Sequence, residues 1–352
     1  MKPKLIQILN EYGHANILQI EGISDELMLK MYRMMVLTRI WNGKALSLQR
    51  QGRMGTITSV HGQEAANIGM ALPLEQTDWF LPSFRDQGVL FTLGVSLKDQ
   101  LLFWGGYEQG MYIPEHLNIA PSCITVGSHL CHAAGVAYAA KLRKEKTVVL
   151  TNSGDGSTSE GDFHESLNMA SLFQLPVVFV VQNNHWAISM PFERQSATET
   201  ISEKAAAYNM ESARVDGNDV FAVYKTVKKY VELAREKSQP ALIELVTYRI
   251  GDHTTADDAT RYRTKEVIDE WIKKDPIDRM KKFLVETHRW DEQQDKSLID
   301  ECMKQVEQAV KDYEAVGVIE PAEMFKYMYH EMPWHLKEEI DEVKALYKGE
   351  DA

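Results

Sequence analysis

Hydrophobic positions recur along this chain in two rhythms, and they interleave in its middle. Residues 24–49 carry Leu27, Leu29, Met31, Met34, Leu37 and Ile40 at helical spacing, which predicts an amphipathic helix. The stretches 63–72 and 129–143 predict two more. Short continuous apolar runs then alternate with helical ones. Strands are expected over 147–151 (TVVLT), 176–182 (PVVFVVQ) and 241–247 (ALIELVT), with helices over 162–173 and 220–235. Apolar runs without polar alternation, separated by helices, indicate a parallel sheet covered on both faces. Residues 264–288, 296–315 and 335–347 return to helical spacing. Between them and the last strand, 251–264 (GDHTTADDATRYRT) has no apolar period. It is expected to be a mobile loop, the kind of segment that carries chemistry. No internal repeat is visible.

Composition narrows the class without naming it. The chain has 352 residues, 44% hydrophobic and 26% charged, which excludes collagen-like and disordered readings. The net charge of −12, from 51 acidic and 39 basic residues, argues against nucleic acid or an anionic membrane as the main partner. The apolar runs are too short to span a bilayer, and the first thirty residues lack a signal pattern. Three cysteines, Cys123, Cys131 and Cys302, form no CxxC and no disulfide framework, so a reducing cytoplasm is the expected compartment.

The most informative residues follow the strands. Gly154-Asp155-Gly156 comes directly after the first expected strand, and Asn183-Asn184 directly after the second. One helix joins them, so if the strands are neighbours Asp155 and Asn184 emerge at the same carboxyl edge, where open α/β sheets bind ligands. A carboxylate with an amide oxygen suits Mg²⁺ or Ca²⁺. Glycines on either side of Asp155 allow a tight turn and close approach of a phosphate. The helix starting near Gly161 is expected to aim its amino end at the same anion. A lone GDG is most simply a strand-to-helix turn; the asparagine ending the next strand changes that reading.

GDG, 27 residues, then Asn184 resembles the thiamine diphosphate motif. The string GDGSTSEGDFHESLNMASLFQLPVVFVVQNNHWAIS resembles the alpha subunit of the decarboxylating component of 2-oxo acid dehydrogenase complexes. His61-Gly62-Gln63-Glu64-Ala65, Phe84-Arg85-Asp86, Arg214-Val215-Asp216-Gly217, Tyr248-Arg249-Ile250-Gly251 with His253, Arg261-Tyr262-Arg263 and Glu331-Met332-Pro333 fall in that family's order. The resemblance covers about residues 24–345.

It implies an α/β thiamine diphosphate-binding fold: one diphosphate-binding domain over 1–352, with an N-terminal arm over 1–23 and a mainly helical C-terminal extension over 264–352. It implies that Asp155, Asn184 and the main-chain carbonyl of Trp186 hold Mg²⁺. Arg85, beside Phe84, would pair with the diphosphate, and Arg249 would be a second cation nearby. Gly154 and Gly156 would flank the phosphates. Main chain at Ile124 and Val126 would meet the aminopyrimidine. His253 would sit by the thiazolium ring and assist acyl transfer to a lipoyl arm. The family's activating glutamate comes from a beta chain; Glu64 and Glu160 stand at expected helix starts and are assigned helix N-terminal roles. The resemblance therefore implies a site shared with a beta subunit in an α₂β₂ heterotetramer, docked on a lipoyl-bearing acyltransferase core. The strings around 159–162, 214–223 and 248–251 lean toward a branched-chain 2-oxo acid, with pyruvate and then acetoin as alternatives. A non-catalytic scaffold of the same fold is the reading from another class. A nicotinamide-dependent dehydrogenase is excluded because no GxGxxG follows a strand.

Four positions depart from the family or invite another reading. His129 stands where relatives have glutamine, in a stretch some use to hold potassium. SHLCH suggests zinc, but no second ligand pair exists, and on a helix His129 and His132 would share a face. Ser83-Phe84-Arg85 replaces a tyrosine before the arginine. Asp252 precedes His253 and is expected to raise its pKa. Thr254 replaces a serine that some relatives phosphorylate, and regulation there is not expected.

Overall fold

The computed structural model of the chain describes residues 3–348; the ends of the expected arm and extension lie outside the described residues. Six parallel strands form one sheet: β1 (Leu5–Ile6), β2 (Trp79–Leu81), β3 (Val149–Gly154), β4 (Val177–Asn183), β5 (Glu211–Asp216) and β6 (Ala241–Val246), in the order β1-β5-β6-β4-β3-β2. The three expected strands are its centre. The other three escaped the apolar-run criterion for physical reasons. β1 and β2 are two and three residues long, and in β5 (ESARVD) only Ala213 and Val215 are apolar.

Labelled helices are α1 (Asp25–Arg50), α2 (Glu64–Ala71), α3 (Ser128–Leu142), α4 (Gly161–Leu172), α5 (Val220–Lys237), α6 (Lys265–Ile272), α7 (Pro276–Glu286), α8 (Glu292–Glu314) and α9 (Trp334–Lys348). Each face of the sheet has its own core. On one side Ala66 and Met70 of α2 and Val223 and Val227 of α5 pack on Leu150, Val178, Val180, Ile243 and Leu245. On the other, Leu130 and Ala134 of α3 and Phe163 and Leu167 of α4 pack on Val149, Phe179, Val181 and Leu242. A Cβ at Gly69 would stand 2.7 Å from the side chain of Val223, so glycine there lets α2 cross α5 closely.

The helical extension is no loose tail. Leu298, Cys302, Val306 and Val310 of α8 share a core with Met31, Met35 and Trp41 of α1. Tyr32 donates to Asp295 at 2.7 Å. The expected helix over 264–288 is broken, because Pro276 cannot donate a backbone hydrogen bond and starts a new helix. Asp275 caps that helix, accepting from the amides of Ile277 and Asp278. Among the described residues no helix is long and apolar enough to cross a membrane.

His129 and His132 do not share a face. His129 is buried and His132 exposed, since the broad inner stripe of α3 takes in His129, Leu130, Ala133 and Ala134 but not His132. Cys131 instead faces Asp162 and Glu165, on α4.

Candidate active site

Parallel pairing brings four strand ends to one edge. In the register, Gly154 of β3 faces Gln182 of β4, and Asn183 of β4 faces Val246 of β6. Asp155 and Asn184 therefore leave adjacent strands side by side. Ser83–Arg85 follow β2, and Arg249 and His253 follow β6. A cavity of about 400 Å³ lies between them. Its wall includes Phe84, Arg85, Ile124, Val126, Gly154, Asp155, Gly156, Asn184, Trp186 and His253. Of the residues expected at the site, Arg249 alone does not line it. It stands behind the wall, its guanidinium donating to the carbonyls of Trp186 (3.3 Å) and Ile188 (2.7 Å) and to the Tyr262 hydroxyl (2.9 Å).

The acidic side of the cavity is held by main chain. Asp155 opens a short 3₁₀ turn, Asp155–Ser159. That turn separates Asp155 from the amino end of α4 at Gly161. Gly156 is required for closeness, since a Cβ there would lie 2.9 Å from that of Ala187. Asp155 Oδ2 accepts from Gln195 Nε2 at 2.7 Å. Burial pushes its carboxyl up to about 6, against the hydrogen bond from Gln195, because the charged form is poorly solvated there. Asn184 is oriented by its neighbours: its Oδ1 accepts from the Trp186 amide at 3.3 Å, and its Nδ2 donates to Gln63 Oε1 at 3.3 Å. The turn after it is strained. His185 (φ 69°) and Ile188 (φ 55°) are both left-handed, a cost non-glycine residues accept mainly at functional sites.

The basic side is held by side chains. Arg85 is buried and donates to the Ser59 carbonyl and, at 3.2 Å, to the His253 carbonyl. Burial, and then Arg249, lower its pKa to about 9, which leaves it cationic at neutral pH. His253 Nδ1 lies 3.4 Å from Arg85 Nη2 and 3.2 Å from Arg249 Nη1. Facing two donors, Nδ1 must accept, which leaves the ring proton on Nε2. Burial first, then the two guanidiniums, depress His253 to about 4. The expectation that Asp252 raises it fails: Asp252 accepts from the Ala259 amide instead. The carboxylate at the loop is Asp257, which accepts from the His253 amide at 2.8 Å and from Tyr262. Arg263 ties down the carbonyls of Arg249, Ile250 and Gly251.

The donor set fits a metal-bound diphosphate. A carboxylate and an amide oxygen converge as hard oxygen ligands, and a buried guanidinium faces the same space without a carboxylate bonded to it. Nothing fills the volume beside the absent Cβ of Gly154 within 4 Å.

The two glutamates divide. Glu64 begins α2, accepting from the Gly62 amide at 3.0 Å and from Arg39, in keeping with a role at the helix start. Glu160 makes no capping bond and lines the cavity, which corrects its assignment. His129 also lines the cavity, with Nε2 2.7 Å from the Asn152 carbonyl and Nδ1 unpartnered. Gln63, Asn152 and Gln195 went unread as site residues. Gln63 lies inside a string that carries the resemblance, whereas Gln195 lies in a stretch with neither period nor motif.

The family described as "Dehydrogenase E1 component" matches residues 32–322. The pyruvate dehydrogenase E1 component subunit alpha of Acholeplasma laidlawii is 44% identical over 329 residues, covering 93% of this chain and 95% of the relative. The subunit of the same name from Bacillus subtilis is 39% identical over 337 residues (95% and 91%). That of Bacillus cereus is 39% identical over 349 (99% and 93%).

Proposed function

We propose, for a chain that belongs to the dehydrogenase E1 component family, that it is the alpha subunit of a pyruvate dehydrogenase. With a beta subunit it would decarboxylate pyruvate and pass the acyl group to a lipoyl group on an acyltransferase core, in the cytoplasm. One observation carries the reading: Asp155, Asn184, Arg85 and His253 meet in a single cavity. The names of the relatives favour pyruvate, and the branched-chain preference finds no support in them. The string 214–223, one of those behind that preference, lies in β5 and the start of α5, and none of it lines the cavity.

Thiamine diphosphate, when bound, would supply a carbon nucleophile for the 2-oxo carbon and an electron sink for loss of carbon dioxide, with the lipoyl disulfide as the oxidant that brings the fragment to the acyl level. Asp155 and Asn184 hold Mg²⁺ through Oδ atoms. The Trp186 carbonyl accepts a long bond from Arg249 and keeps a lone pair for a third contact. Arg85 neutralises phosphate charge, with Arg249 behind it. Main chain at Ile124 and Val126 meets the far end of the cofactor. His253, uncharged, presents its Nε2 proton to the acyl oxygen during transfer to the lipoyl arm.

One feature supports a shared site. Ile124, Val126 and Ile188 are 55%, 45% and 57% exposed although they line the cavity. Asp155 and Glu160 are the only carboxylates lining the cavity among the described residues; with Asp155 assigned to the metal, Glu160 is the one glutamate of this chain at the site, and the activating glutamate is assigned to the beta chain on the family resemblance. The test is steady-state turnover of the reconstituted α–β complex with pyruvate and with branched-chain 2-oxo acids. Pyruvate should be preferred and the isolated chain inactive. Turnover by the isolated chain would refute the shared site, and preference for a branched-chain acid would refute the substrate.

A further inference from the structure

We infer that Gln63 is a second recognition group for the cofactor's diphosphate: its side-chain N–H donates to a phosphate oxygen while its carbonyl fixes the amide of Asn184. The inference rests on the function proposed above.

The chain of contacts leaves little freedom. The Trp186 amide can only donate, so the Asn184 atom facing it is Oδ1. Asn184 Nδ2 then points at Gln63, and the Gln63 atom that receives it must be Oε1. Exchanging either amide's oxygen and nitrogen would set donor against donor. Gln63 Nε2 is thereby turned away from Asn184.

There it has no acceptor. Gln63 is 0% exposed, Nε2 has no hydrogen-bond partner, and the residue lines the cavity. Its main chain cannot shift to relieve this. The Gln63 amide donates to Val60 and its carbonyl accepts from Asn67 at the start of α2. Gly62 before it sits at φ 90°, where a Cβ would strike the Tyr248 carbonyl at 2.7 Å. A buried donor left unmade is costly, and an occupant offering an acceptor removes the cost. The acceptor that offsets the cost most is an anionic oxygen, and the site's occupants offer two: a phosphate of the cofactor or the carboxylate of the 2-oxo acid. The bond to Asn184, which would hold the metal that accompanies the diphosphate, points to the phosphate.

The test measures thiamine diphosphate affinity of the α–β complex at saturating Mg²⁺, by calorimetry rather than turnover. Gln63→Met loses the donor, and the affinity should fall about ten-fold. Gln63→Glu keeps an acceptor for Asn184 but sets a charge against phosphate, and should fall about a hundred-fold or more. The KM for pyruvate at saturating cofactor should not change. If Gln63 only oriented Asn184, the order would reverse, with the Glu variant near wild type. That order, unchanged affinity in both variants, or a rise confined to the pyruvate KM overturns the inference. Should either variant fail to fold, the structure of the wild-type complex with Mg²⁺ and thiamine diphosphate decides. Nε2 within about 3.2 Å of a phosphate oxygen supports the assignment, and a greater distance removes it. Failure of the wild-type complex to bind the cofactor overturns both this inference and the function beneath it.

Discussion

The two sides of the cavity are built by different means. Asp155 and Asn184 are placed by the ends of β3 and β4, deep in a six-stranded ladder, so their spacing is as rigid as the sheet. Arg85, Arg249 and His253 are placed by individual hydrogen bonds among irregular segments: the Ser59 and His253 carbonyls take Arg85, Asp257 and Tyr262 hold His253 and Arg249, and Arg263 holds three carbonyls. The first arrangement costs little to maintain once the sheet forms. The second depends on a handful of hydrogen bonds, each worth about 1 kcal/mol and more to a charged partner. The acidic side should fail when its own ligands or the two glutamines bonded to them, Gln63 and Gln195, are changed, the basic side when any of its more numerous supports is.

The largest effect should come from the ligands. Asp155→Ala should abolish Mg²⁺-dependent binding of thiamine diphosphate to the α–β complex, a loss beyond about a thousand-fold, without lowering the thermal midpoint of the unliganded complex. Calorimetry in the presence and absence of Mg²⁺ checks this, and wild-type affinity would rule out the metal assignment. Next, Tyr262→Phe removes the hydroxyl that Asp257 and Arg249 share. It should cost about ten-fold in kcat/KM although Tyr262 does not line the cavity. An effect under two-fold would mean that the loop is held by main chain after all.

That asymmetry also explains what could be read from the sequence. Regular structure announces itself: the apolar runs of β3, β4 and β6 and the GDG-to-asparagine spacing locate Asp155 and Asn184 before any coordinates exist. A polar segment with no period shows only that it is irregular. The family resemblance pointed to His253, but the reversal of its pKa lay beyond sequence, because Asp252 is adjacent in the chain while Arg85 is adjacent in space. Gln195, which bonds Asp155, comes from a stretch with no apolar rhythm. The left-handed turn at His185 and Ile188 has no clear signature, since histidine tolerates that conformation only modestly and β-branched isoleucine disfavours it.

The two sides should also titrate in opposite senses. Asp155 is raised from its ordinary value to about 6. Its contribution to stability is full below the unfolded pKa of about 3.9 and is lost as pH rises through 6. His253 is lowered to about 4. Its contribution is present above about 6.5 and is lost as pH falls toward 4. In the unliganded complex, Asp155→Asn should flatten a decline in thermal midpoint between pH 4 and 6, and His253→Gln should flatten a rise over the same interval. Shifts of the same sign in both variants would contradict the comparison. Mg²⁺ with thiamine diphosphate should abolish the Asp155 slope, since the metal keeps the carboxylate ionised.

The smallest effect tests the one place where the rigid side stores strain. A left-handed conformation costs a non-glycine residue about 1–2 kcal/mol, and β-branched Ile188 bears it at φ 55°. Glycine removes that cost but loses more chain entropy on folding, about 0.5–1 kcal/mol. Ile188 is largely exposed, so little packing is lost. Ile188→Gly should therefore stabilise the chain slightly, by less than about 1 kcal/mol in urea unfolding. Cofactor affinity should fall at the same time, because the Ile188 carbonyl that holds Arg249 is no longer pinned. Higher stability with lower affinity means that the strain serves the site. A loss of both would show that the turn is packed rather than strained, and the rigid side would then depend on side chains as much as the other does.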